Sequence, residues 1–183
     1  MSEEININGY VTVKQENKTI IDKSKNKFTE NMIKGLIKCY SNTNGVFRGS
    51  QWWDGGNGYI GLGYGGNSET YKTMTELNES YSITPDNISY YGIETGDWYG
   101  KIKFTATYNS DNLVENNVTD VNEIGLFLKP NTGNWDNPGS FGTSSPSLVL
   151  CARISEADGN LNPVQVDQSK PLTVEWIYEL VVE

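Results

Sequence analysis

Two kinds of side chain in this sequence could do chemistry: aromatic rings set in glycine- and asparagine-rich stretches, and carboxylates beside them. Trp52, Trp53, Tyr59, Tyr90, Tyr91, Trp98, Tyr99 and Trp135 make the strongest compositional signal, because large rings serve core packing, sugar stacking and protein interfaces alike. Trp52, Trp53 and Trp135 stand among Gly, Asn and Asp, and an indole in such a loop needs a covering neighbour. Three readings stay open for Trp52, Trp53, Tyr59, Trp98, Tyr99 and Trp135: packing over the ends of a sheet, contact with another subunit, or a platform for a glycan. Asp54, Glu94 and Asp97 lie near these rings, and two acids flanking a sugar bond would suit glycoside hydrolysis. Loop carboxylates of this kind are ordinarily solvated, and the expectation is that no residue is catalytic.

Three further patterns look chemical and read better as turns. Gly61-Leu62-Gly63-Tyr64-Gly65-Gly66 matches the glycine spacing of a dinucleotide loop. The residues after it carry no helical apolar stripe, however, and no strand–helix–strand unit surrounds it. Asp54-Gly55-Gly56-Asn57-Gly58 and Asp158-Gly159-Asn160 offer oxygen ligands, but lack the spacing and terminal Glu of a calcium loop. With no His in the chain, histidine-dependent nucleophiles and the commonest transition-metal ligand are excluded. Cys39 and Cys151 are too few for a thiolate zinc site and lie in apolar stretches, where buried thiols are expected. No cofactor and no metal are implied. The formal charge of −9 disfavours nucleic acid and anionic membranes. Met1-Ser2-Glu3-Glu4 lacks the basic start of a signal peptide, and no apolar run is long enough to span a membrane. The expectation is a soluble product made in the cytoplasm, with no nucleic-acid partner and no membrane insertion.

The elements that must position these residues are mostly strands. Leu172, Val174, Trp176, Tyr178, Leu180 and Val182 share one parity, as do Ile102, Phe104, Ala106 and Tyr108, the period of a half-buried strand. The runs 123–128 and 148–154 are more continuously apolar, as strands covered on both faces would be, and 10–13 adds a strand near the start. One segment reads as helix, about 28–40, from the spacing of Phe28, Met32, Ile33, Leu36, Ile37 and Tyr40, with Thr29 or Ser24 as its cap. Long loops are expected at about 43–58 and 130–147, where function is to be sought. The expected fold is mainly β: an antiparallel β-sandwich with one α-helix in the N-terminal half, a single domain over 1–183.

Several blocks resemble one family. Lys25–Ile37, Tyr59-Ile60-Gly61-Leu62-Gly63-Tyr64-Gly65, Asn122-Glu123-Ile124-Gly125-Leu126-Phe127, Leu150-Cys151-Ala152-Arg153-Ile154 and Lys170–Tyr178 are similar, in order, to blocks of small virion proteins of tailed bacteriophages: tail-fibre, baseplate, collar or minor structural components. The resemblance implies a non-enzymatic β-rich structural protein located in the virion. Its partners would be copies of itself, as a homo-oligomer, and other virion proteins. The chain departs from the pattern at Gly49–Asn57 and Asn131–Ser147, and added loops of this kind commonly decide the partner surface. The alternative is a carbohydrate-binding or adhesin module, with Trp52, Trp53 and Trp98 stacking on a host surface glycan.

Overall fold

The computed structural model describes residues 5–30, 32, 58–65, 76–96, 99–128 and 149–182. Among them the chain is mainly β, and every strand pairing is antiparallel. The first sheet contains β1 (Ile5–Gln15), β2 (Lys18–Lys25), β5 (Asn87–Gly96), β6 (Tyr99–Tyr108) and β11 (Leu172–Val182), in the order β2-β1-β11-β6-β5. The last strand of the chain is therefore its centre. Alternation explains why: Leu172, Val174, Trp176 and Tyr178 point one way and are buried, as are Val11 and Val13 of β1 and Phe104, Ala106 and Tyr108 of β6.

The second sheet contains β3 (Lys27–Phe28), β4 (Gly58–Gly63), β8 (Glu123–Leu128) and β9 (Val149–Ser155), in the order β3-β9-β8-β4. A short pair joins β7 (Asp120–Val121) to β10 (Val164–Gln165). One contiguous cluster of buried side chains draws on both large sheets, with Trp176, Phe104 and Tyr108 from the first and Ile60, Leu62, Ile124, Leu126 and Ile154 from the second. Each fully buried side chain of the Leu, Ile or Phe kind contributes about 1.5–3 kcal/mol. No helix among the described residues is long and apolar enough to cross a membrane.

The start of the expected helix is corrected. Phe28 belongs to β3, paired with Ala152, and its ring stacks on Tyr178 at 5.5 Å. Thr29 stands directly before the first helical residue and its carbonyl accepts the Met32 N–H at 3.2 Å, while its hydroxyl donates to the Leu150 carbonyl at 2.6 Å and its N–H to Cys151 O. Helical conformation begins at Glu30, and Met32 reaches the core. The rest of the predicted helix lies outside the described residues, as do the two predicted long loops apart from Gly58 in β4.

Several further elements went unread in the sequence, β5, β2 and a short helix among them. β2 shows no alternation because it carries irregular pairing on either side of Ile21, with Lys23 at φ 47°, and each extra residue resets the period. The helix α1 (Ser110–Glu115) has only Leu113 buried, too little for a stripe. It stops where Asn117 takes φ 51° and Val118 N–H bonds back to Leu113 O at 2.9 Å.

Candidate functional site

β4, β8 and β9 bring three of the sequence blocks side by side on one face of the second sheet. Gly63 lies opposite Glu123, Gly61 opposite Gly125, and Tyr59 opposite Phe127. On the far side of β8, Glu123 faces Ser155, Gly125 faces Arg153, and Phe127 faces Leu150. The other parity of these strands fills the main core, so this face must be covered by something else. The segment 76–81 supplies part of the cover. Tyr64 N–H donates to Glu79 O at 2.9 Å and Tyr81 N–H to Leu62 O at 3.0 Å, which lays the segment along the edge of β4.

Leu77 then sits over the glycines. A Cβ at Gly125 would stand 2.5 Å from Leu150 Cδ1 and 2.7 Å from Leu77 Cδ2, and one at Gly63 would stand 2.7 Å from the Glu79 carbonyl oxygen. The glycine spacing that resembles a dinucleotide loop serves this close approach of chain over strand. Tyr59 packs into the same layer with Leu77, Phe127 and Leu150. Its ring lies 5.4 Å from that of Phe127, and its hydroxyl donates to Ile83 O at 2.9 Å. Burial raises the pKa of the phenol. Tyr81 works in the same way, donating to Asp120 O at 2.8 Å, and Tyr108 donates to Ile60 O from full burial.

Beside the glycines lies a buried ionic group. Arg153 and Glu123 are fully buried; Arg153 Nη1 donates to Glu123 Oε1 at 2.8 Å and Nε to Asp158 Oδ2 at 2.8 Å. The second Glu123 oxygen accepts the Asn78 N–H at 2.9 Å, and Asp158 also accepts the Ser155 hydroxyl at 3.0 Å. Burial pushes the Glu123 carboxyl up, and the Asn78 N–H and Arg153 guanidinium pull it back without cancelling the effect. Both oxygens of Glu123 are occupied, so this carboxylate fastens segment 76–81 to the sheet.

Asp158-Gly159-Asn160 is the turn expected of it. Gly159 takes φ 68°, Asp158 is held by Arg153, and Asn160 Oδ1 accepts Ser155 N–H while its Nδ2 donates to Lys25 O. Asn160 thereby ties the end of β9 to the end of β2.

Of the six aromatic candidates, Tyr59 has a side chain among those described, and it falls within this layer. Tyr99 begins β6, with backbone partners Gly96 and Val181. Trp52, Trp53, Trp98 and Trp135 lie outside the described residues, as do Asp54, Asp97 and Cys39. Glu94 is in β5, its backbone opposite Lys101, and Cys151 is buried in the core. Sequence reasoning passed over the pairing of Glu123 with Arg153. The signal was present, since a cation inside an apolar strand demands a buried anion.

Comparison of the chain with protein-family models, with curated proteins and with solved structures gives no match in any of the three.

Proposed function

We propose that this protein is a non-enzymatic structural subunit of a tailed-phage virion, in the tail, collar or another external appendage, assembling as a homo-oligomer with other virion proteins. The observation that carries the reading is the ordered series of sequence blocks. Its physical support is where the blocks lie. Three of them form the adjacent strands β4, β8 and β9, the last two tied by the Glu123–Arg153 pair, and a fourth forms the central strand β11. Such residues build a framework, and the loops that depart from the pattern are left to define partners. In this reading the two large sheets are the layers of an antiparallel sandwich around their shared core. Repetition around a symmetry axis would then convert weak contacts into lasting attachment.

Mass spectrometry of purified particles is the direct test. The subunit is expected in them in fixed stoichiometry, and particles that form and infect without it overturn the reading. A glycan array with the protein and its Trp52→Ala, Trp53→Ala, Trp98→Ala variant tests the adhesin alternative. Specific binding lost in the variant would favour it.

A further inference from the structure

We draw no further inference here: the strongest candidate, the cleft of about 740 Å³ between the β2 edge of the first sheet and the segment 163–170, sets Lys18 and Lys170 against Glu16 and Asp167, with Lys170 held by both acids, and nothing in the structure shows what covers it.

Discussion

The two large sheets bury charge in different ways. On the first, the face away from the core carries Lys14, Lys103 and Glu175, with Glu175 2.9 Å from each lysine and all three partly exposed. On the second, the face away from the main core carries Arg153 and Glu123, 2.8 Å apart with no exposure at all. The geometry of the pairs is similar, but the solvent is not. An exposed pair gains little, because water already stabilises each ion. A buried pair has given up that hydration, so its members depend on one another even where the pair adds no net stability.

The largest effect that would test this contrast is expected at Glu123. Glu123→Gln must turn an amide N–H toward either the Asn78 N–H or the Arg153 guanidinium, setting one buried donor against another; a loss of about 3 kcal/mol in urea unfolding is expected. A loss below about 1 kcal/mol would place the pair in the same class as the surface one. Replacing Glu123 with Leu, Arg153 with Met and Asp158 with Asn together should recover part of that loss, since no buried ion is then left alone.

Next in size is Gly125→Ala, where the new methyl meets Leu150 and Leu77 and overpacking should cost about 1–3 kcal/mol. In a double-mutant cycle with Leu77→Ala, the double variant should lose less than the sum of the two single losses if Leu77 is the obstacle. Glu175→Gln should cost about 1 kcal/mol or less, and its cost should shrink in high salt, when thermal melts are compared across ionic strength.

The smallest effect is one of sign, read from the pH dependence of the melting temperature. Burial holds the Glu123 carboxyl above its ordinary range. Its contribution is therefore present at acid pH and lost as pH rises through that raised value. For Glu175, burial raises the pKa, but hydrogen bonds and charge from Lys103 and Lys14 outweigh it and the net direction is down. Its contribution is present above the ordinary carboxylate range and lost as pH falls through the lowered value. The gap between parent and Glu123→Gln should narrow as pH rises from acid toward neutral, and the gap between parent and Glu175→Gln should widen. Parallel pH profiles for the two variants would remove the distinction between the sheets.

How much of this was legible depends on how many faces of a strand are covered. β6 and β11 could be read by parity, because one face is apolar and the other polar. The runs that became β8 and β9 could be recognised as covered on both faces, but not what covers them. Segment 76–81 has no periodic pattern of its own and is ordered by hydrogen bonds to β4 and Glu123. Phe28 suited a helical stripe as well as a strand, and pairing with Ala152 decided the matter. Tyr59 stood out only as an aromatic residue; its role as a tether to Ile83 depends on a residue distant in sequence.

By itself, the amino-acid sequence determined the mainly β character, the strands of plain alternation, the absence of histidine chemistry and the uneven distribution of charge. These follow from residue type and from spacing along one strand, which the covalent chain fixes. Tertiary structure alone decided that β11 is central, that Gly61 and Gly125 lie opposite each other beneath Leu77, and that Arg153 finds Glu123 and Asp158. Partners so far apart in the chain are selected by the burial of whole surfaces, and no local pattern encodes that choice.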